Sequence, residues 1–298
     1  MNSIAGPQSE WVTLAGHMKS PQALYLDLLK KSILGELYVE NELRLLYLRD
    51  CLTGEQSFDQ SAYRDIHQLE GGAAYREYVS ARSVGLHFKR KIENLGFQHT
   101  MIGRARLENI HYCLEFILQD RVPGDCIECG VWRGGAALYM RGFLAAHQVS
   151  DRIVWLADSF EGLPHPTTPP DHGLDLSAEK YPMLAIKEET VRDLFERYGL
   201  LDDRVRLLKG WFKDTLQRAS IDSLSLLRID GDLYESTLDC LNSLYSKVER
   251  GGFVIIDDYG CLPQCHQAVS EFRERRGIKE TIQKIDWTGV YWRKESAT

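Results

Sequence analysis

Short apolar runs rich in valine and isoleucine alternate with helical segments from about residue 121 onwards. This alternation is typical of a parallel β-sheet with helices packed on its faces. We predict strands at 125–131, 152–158, 204–209, 224–230 and 252–257, with helices near 135–148, 186–198 and 236–248. The tail KETIQKIDWTGVYWRK has two strand-like pieces around Thr288 and Gly289 with no helix between them. We therefore predict an antiparallel hairpin at the end of the sheet.

The first third of the chain has helical periodicity instead. Apolar residues recur at helical spacing from Leu26 to Leu37, which predicts an amphipathic helix. Its apolar stripe has no second layer of its own, so it should cover the main domain or contact another subunit. We predict helices over 22–50 and near 73–94 with a loop at 53–72, a helical cap or lid region over 1–99, and a main domain over 100–298.

Composition limits the partners that this chain can have. A net charge of -7 with mixed acidic and basic residues provides no basic surface for nucleic acid or an anionic membrane. The sequence has no apolar run of membrane-spanning length and no secretory signal, so we expect a cytoplasmic protein. The odd number of cysteines, seven, favours reduced thiols.

Acidic residues stand at or near the ends of four predicted strands. In parallel sheets, ligands bind beyond the carboxyl ends of the strands. Buried carboxylates are costly unless a cation lies beside them, and the flanking stretches hold too few Arg or Lys residues. Mg²⁺ prefers oxygen ligands, so we predict a magnesium site here, with Asp230 and Asp257 one strand–helix–strand unit apart. The acidic residues are Glu128, Asp158, Asp230, Asp257 and Asp258.

The turn after the first predicted strand is rich in glycine, with Gly130 and Gly134 before a helix. Glycines there allow a ligand to approach the backbone, although the spacing is not that of a dinucleotide site and a tight turn alone would explain it. Asp158 ends the second strand, where an acid commonly binds ribose hydroxyls. Trp211 and Phe212 follow the third strand and could either flank an adenine or pack in the core.

Two further patterns carry less information. Cys126 and Cys129 form C-x-x-C, but residues three apart in a strand face opposite sides, so we predict neither a metal nor a redox site. His165 and His172 flank the proline-rich stretch LPHPTTPPDHG, which is either a lid over the substrate or a solvated loop.

The assembled motifs resemble those of the macrocin O-methyltransferase family. The resemblance covers most of the chain, and its motifs are HTMIGRARLENI, IECGVWRGGA, ADSFEGLP, LRIDGDLYEST, GGFVIIDDYG and GVYWRK. Members are bacterial enzymes that methylate sugar hydroxyls on secondary metabolites, using S-adenosylmethionine and Mg²⁺. The resemblance implies an α/β, Rossmann-like class I methyltransferase fold.

The family pattern implies roles for individual residues. Asp230, Asp257 and Asp258 match the metal-binding acids, and Asp230 also matches a position proposed as the general base. Around the cofactor, the implied residues are Glu128, Gly130 and Gly134 in the loop after the first strand, Asp158 with its neighbour Ser159 at the ribose, and Thr100, Met101 and Ile102 over the methionine part.

We therefore expect a Mg²⁺-dependent O-methyltransferase that acts on a hydroxyl of a secondary metabolite. A sugar of a glycosylated natural product is the first expectation, and a polyketide, peptide or phenolic hydroxyl is the alternative. A non-catalytic binding protein on this scaffold would be expected to have lost some of the acids. A nucleotide-dependent dehydrogenase is disfavoured because Tyr-x-x-x-Lys does not occur. We further expect a homo-oligomer.

Overall fold

A seven-stranded sheet forms the centre of the protein in the computed structural model, which describes residues 20–66, 80 and 98–295. The strands are β1 (Asp125–Cys129), β2 (Val154–Asp158), β3 (Val205–Lys209), β4 (Leu224–Ile229), β5 (Val248–Ile256), β6 (Gln283–Lys284) and β7 (Val290–Arg293). Their order is β3-β2-β1-β4-β5-β7-β6. Strands β1 to β5 pair in parallel, and β7 is antiparallel to both β5 and β6. The predicted mostly parallel sheet with a C-terminal antiparallel hairpin is confirmed.

Helices cover both faces of the sheet. They are α1 (Pro21–Ile33), α2 (Val39–Leu52), α3 (Gln60–Arg64), α4 (Arg104–Gln119), α5 (Gly135–Ala146), α6 (Glu188–Arg197), α7 (Phe212–Thr215), α8 (Tyr234–Leu244) and α9 (Pro263–Arg276). The helices predicted in the C-terminal part correspond to α5, α6 and α8, whereas α4, α9 and the short α7 were missing from the prediction. No helix in the described ranges is long and apolar enough to cross a bilayer.

Alternate residues of the central strands enter two separate hydrophobic cores. Cys126 of β1 packs with α1, α4 and α5 on one face, while Ile127 and Cys129 pack with α8 and α9 on the other. This agrees with the prediction that the two cysteines face opposite sides. All seven cysteines, which lie within the described ranges, are free thiols.

The predicted helix over 22–50 is in fact two helices. Helix α1 ends at Ile33 with Leu34 as its C-cap, and Gly35 then adopts a left-handed conformation with φ of 70°, which turns the chain into a short 3-10 helix before α2. Glycine adopts this conformation without steric cost, so the helical periodicity hides a break. The 3-10 helices are Glu36–Tyr38, Pro169–Asp171, Pro182–Leu184 and Tyr245–Lys247.

The two N-terminal helices pack differently. Leu26, Leu29 and Ile33 of α1 belong to the main core, whereas α2 forms a small cluster of its own in which Leu43 packs with Ile66. Helix α1 is therefore built into the domain that it was predicted to cover. The helix predicted near 73–94 lies outside the described residues, as does much of 1–99, so the division at residue 99 stays a prediction. The predicted loop at 53–72 contains α3 in its described part.

Ion pairs fix α1 against α4. Lys30 is almost fully buried, and its ammonium lies 2.5 Å from Glu108. Arg104 at the start of α4 reaches Asp27 at 3.2 Å and Glu36 at 2.6 Å. Because residues 100–103 lead directly into α4, these pairs also position the segment that was predicted to close over the cofactor.

Candidate active site

Three carboxylates meet where β4 and β5 end. Asp230 follows β4, and Asp257 and Asp258 follow β5, its parallel neighbour. Each offers an oxygen atom, and these oxygens all lie within 4.8 Å of one another. An all-oxygen set of this kind fits a hard divalent cation such as Mg²⁺. The structure thus brings together the three residues predicted as metal ligands.

Two arginines already compensate part of this charge. Arg228, which is 1% exposed, contacts Asp257, lies 3.0 Å from Asp230 and also lies 2.5 Å from Glu128. Arg106 of α4 contacts Asp257 from the other side. The expectation that the sequence lacks basic partners for these acids is therefore wrong. Arg228 lies in β4 two residues before Asp230, and Arg106 belongs to a helix that was not predicted.

The carboxylates nevertheless retain unfavourable interactions. Burial, followed by repulsion from Asp257, raises the pKa of Asp230. Burial and the neighbouring acids raise the pKa of Asp258 well above its ordinary value. Both shifts mean that negative charge is disfavoured at these positions. A bound divalent cation would favour the ionised forms, so the donor set and its electrostatics both suit a metal.

Asp232 is an acidic residue of the site that has no role in the sequence-based prediction. Its backbone is left-handed, with φ of 54°, and burial followed by repulsion from Asp230 and Asp257 raises its pKa to about 7. It lines the cavity described next. The signal that could have identified it is its place in IDGD, two residues beyond Asp230.

A cavity opens over the carboxyl ends of β1 to β4, at the point where the chain changes direction across the sheet. Binding sites of open α/β sheets lie at such switch points. Asp230 lines this cavity, whereas Asp257 and Asp258 are not part of its wall. The predicted cofactor residues in the wall are Met101, Gly130, Asp158, Ser159, Trp211 and Phe212.

The other predicted cofactor residues lie behind the cavity wall. Glu128 is 2% exposed and accepts a hydrogen bond from the Ala137 N–H of α5 at 2.8 Å, so it supports the glycine-rich turn from below. Gly134 packs against Val191 of α6. Thr100 and Ile102 are buried beside Met101. Direct contact of these four residues with a cofactor stays a prediction.

Gly130 holds the ends of β1 and β4 in close contact. It adopts a left-handed conformation, with φ of 84°, and a Cβ atom there would stand 1.8 Å from the carbonyl oxygen of Asp230. The Asp230 N–H in turn donates to the Cys129 carbonyl at 2.8 Å. Only glycine fits this position, since any side chain would push Asp230 away.

Asp158 shapes the loops on either side of it. Its carboxylate accepts hydrogen bonds from the N–H groups of Val131 and Phe160, both at 2.8 Å. Burial raises the pKa of Asp158, and these backbone donors act in the opposite direction. A carboxylate has about four acceptor sites, so capacity remains for a ribose hydroxyl.

The long connection between β2 and α6, residues 159–187, crosses the cavity. Leu163, Pro164, His165 and Thr167 line it, and Leu184 lines it from the far end of the connection. We call residues 159–187 the strap. His165 of the proline-rich stretch thus belongs to the cavity wall, whereas His172 does not line it.

A sheet of this order, with a cavity over β1 to β4 and acids after β4 and β5, defines a class I methyltransferase. The family model of the macrocin O-methyltransferases (TylF) matches residues 22–294. The chain therefore belongs to this family, and it is an O-methyltransferase.

Individual relatives agree with this assignment. The chain is 44% identical over 291 residues to the demethyldecarbamoylnovobiocin O-methyltransferase of Streptomyces niveus. The aligned stretch covers 95% of this chain and 98% of that relative. The chain is 51% identical over 203 residues to the 8-demethyl-8-(2,3-dimethoxy-alpha-L-rhamnosyl)-tetracenomycin-C 4'-O-methyltransferase of Streptomyces olivaceus, covering 67% and 77%. The solved structure of the O-methyltransferase NovP superposes with a TM-score of 0.74 at 42% identity, covering 92% of this chain and all of that one.

Proposed function

We propose that the protein transfers the methyl group of S-adenosylmethionine to a hydroxyl of a glycosylated natural product, with Mg²⁺ bound by Asp230, Asp257 and Asp258. The observation that carries the proposal is the double position of Asp230. Its carboxylate belongs both to the group of three acids and to the wall of the cavity. A cation held by these acids would therefore stand beside whatever fills the cavity.

The cavity suits the cofactor. Asp158 would accept hydrogen bonds from the ribose hydroxyls, and Trp211 and Phe212 present aromatic surface that would flank the adenine. Met101 lies at the segment that would cover the methionine part. The sulfonium of S-adenosylmethionine supplies the methyl group that is transferred.

The acidic group suits activation of the acceptor. A bound Mg²⁺ would hold neighbouring hydroxyls of the acceptor and lower the pKa of one of them. Asp230 would accept the proton of that hydroxyl, and an oxygen lone pair would form the new bond to the methyl carbon. The bond between this carbon and the sulfonium would break at the same time, its electron pair would stay on sulfur, and S-adenosylhomocysteine would leave. Arg106 and Arg228 each contact one carboxylate oxygen of Asp257 and so fix its orientation, and each oxygen keeps a further acceptor site that a cation could use.

The names of the relatives support a natural-product acceptor. Two of them are named for methylation of a sugar position, the tetracenomycin enzyme above and the mycinamicin III 3''-O-methyltransferase of Micromonospora griseorubida. The third is named for a novobiocin precursor. A non-sugar hydroxyl remains the alternative acceptor. A non-catalytic role is disfavoured because all three acids of the group are present.

The test is methyl transfer with and without metal. Purified protein is given S-adenosylmethionine and pairs of acceptors that differ only in the presence of the sugar, and the product is identified by its added methyl group. We expect EDTA to abolish transfer and Mg²⁺ to restore it. Full activity in EDTA would remove Mg²⁺ from the proposal, and methylation of the aglycones alone would remove the sugar.

A further inference from the structure

The strap has little regular structure of its own. It connects β2 to α6 through residues 159–187 with only two short 3-10 helices, Pro169–Asp171 and Pro182–Leu184. Connections of this length in a compact domain are uncommon and usually functional. Several of its side chains line the cavity. Because the strap has little regular structure, contacts with other elements must hold these side chains in place.

Asp171 provides the attachment on one side. Its side chain is fully buried, and its carboxylate accepts hydrogen bonds from the N–H groups of Tyr234 at 2.7 Å and Glu235 at 3.1 Å. The hydroxyl of Thr168 donates to the same carboxylate at 2.8 Å. The two backbone donors are the first two residues of α8, more than sixty positions away in the sequence.

Helix α8 needs this external carboxylate. The first N–H groups of a helix have no partner within the helix and are normally satisfied by the side chain of the residue before it. That residue is Leu233, whose side chain has no hydrogen-bond acceptor. The N-terminus of a helix also favours acidic side chains beside it, which suits aspartate at position 171. The strap and α8 thus satisfy each other's polar groups.

A second contact attaches the strap to another part of the cavity wall. The indole N–H of Trp132, in the loop after β1, donates to the Met183 carbonyl at 2.9 Å. On the side of α8, the hydroxyl of Thr167 also donates to Glu235 at 2.6 Å. The strap therefore runs from α8 to the loop after β1, and the cavity lies beneath it.

We infer that Asp171 is a positioning residue for the cofactor, which it serves by holding the strap as one wall of the cofactor cavity. This inference rests on the proposed function. The strap shares its cavity with Asp158, Trp211 and Phe212, while Asp257 and Asp258 lie outside that wall. Loss of the attachment should therefore weaken cofactor binding more than it affects the metal group or the chemical step.

The test compares Asp171→Ala and Asp171→Asn with Asp202→Ala. Asp202 pairs with Arg141 and caps the Arg204 N–H, so it matches Asp171 as a carboxylate that caps a backbone N–H but lies away from the cavity. Titration calorimetry with S-adenosylhomocysteine needs neither acceptor nor turnover. We expect Asp171→Ala to raise the Kd about tenfold, which corresponds to loss of a typical helix cap. The Kd of Asp171→Asn should lie between those of Asp171→Ala and wild type, because the amide keeps one acceptor oxygen. The Kd of Asp202→Ala should equal that of wild type.

Steady-state kinetics separate this role from a general structural one. For Asp171→Ala the KM for S-adenosylmethionine should rise by a similar factor, while kcat at saturating cofactor should change much less. An unchanged Kd, or a fall in kcat with an unchanged KM, would overturn the inference. If thermal melting shows that Asp171→Ala is not folded, the same measurements are made on Asp171→Asn. Failure of the wild type to bind S-adenosylhomocysteine would contradict the proposed function instead.

Discussion

The guanidinium of Arg228 contacts the carboxylate of Asp257, one of the three acids that could hold a cation. Arg228 extends from the buried strand β4, and Asp257 begins the loop after β5. The same guanidinium also reaches Glu128 on β1. A single buried positive charge therefore links the ends of three neighbouring strands directly beneath the site.

Replacing Arg228 with methionine should destabilise the protein strongly. The change leaves Glu128 and Asp257 buried without this partner, and breaking a buried ion pair costs about 3–5 kcal/mol. Urea unfolding measures the loss. The matched control is Arg192→Met, which removes an exposed pair with Glu188 on α6 and should cost less than about 0.5 kcal/mol. Similar losses in both variants would mean that the Arg228 contacts add little.

Asp230→Asn should lower turnover even at saturating Mg²⁺ and acceptor. The change removes a metal ligand and the proposed base together, whereas a pure ligand defect would be partly rescued by more metal. The measurement is kcat across a Mg²⁺ titration. Asp232→Asn is the comparison, because Asp232 lines the same cavity but is not one of the three grouped acids. Two results together would assign the role of base to Asp232 instead. Excess Mg²⁺ would return Asp230→Asn to wild-type turnover, and the same excess would leave Asp232→Asn inactive.

Gly130→Ala should prevent correct assembly of the site. The new Cβ would overlap the Asp230 carbonyl, so the ends of β1 and β4 would have to separate. Gly54→Ala is matched in backbone conformation, with φ of 79°, but a Cβ there meets no atom within 4 Å. It should cost only about 1 kcal/mol of backbone strain. Thermal melting and S-adenosylhomocysteine binding check both variants, and equal effects would show that the overlap at Gly130 is relieved easily.

His99 should make stability depend on pH. Burial, together with Arg133 and Arg197, lowers its pKa below the ordinary value of 6.5. In mildly acidic solution the unfolded chain therefore binds a proton on this residue before the folded chain does. The stability that His99 contributes in its neutral form is fully present above its ordinary pKa. This stability is lost as the pH falls through the lower pKa of the folded state. The urea midpoints of wild type and His99→Gln, compared at about pH 7.5 and about pH 5.5, measure this contribution. The wild type should lose more stability on acidification, and equal losses would exclude His99 as the cause.

Much of the architecture was readable from local sequence patterns. The five parallel strands are visible as short apolar runs, the terminal hairpin as two strand-like pieces, and the helices α5, α6 and α8 as helical segments between the runs. Asp230 and Asp257 could be paired because parallel neighbours end at the same edge of a sheet. The break after Leu34 was missed because helical spacing continues across Gly35, whose left-handed backbone leaves no trace in the pattern of apolar residues.

The sequence by itself determined the strands of the sheet, most of the helices between them and which strand ends carry acids, because hydrophobic period and strand direction are properties of short segments. The tertiary structure decided what each acid contacts. Arg106 reaches Asp257, and Asp171 reaches α8, across separations that no local pattern records. Such pairings depend on which distant elements pack side by side. The buried guanidinium groups and the attached strap could therefore be recognised only in the folded chain.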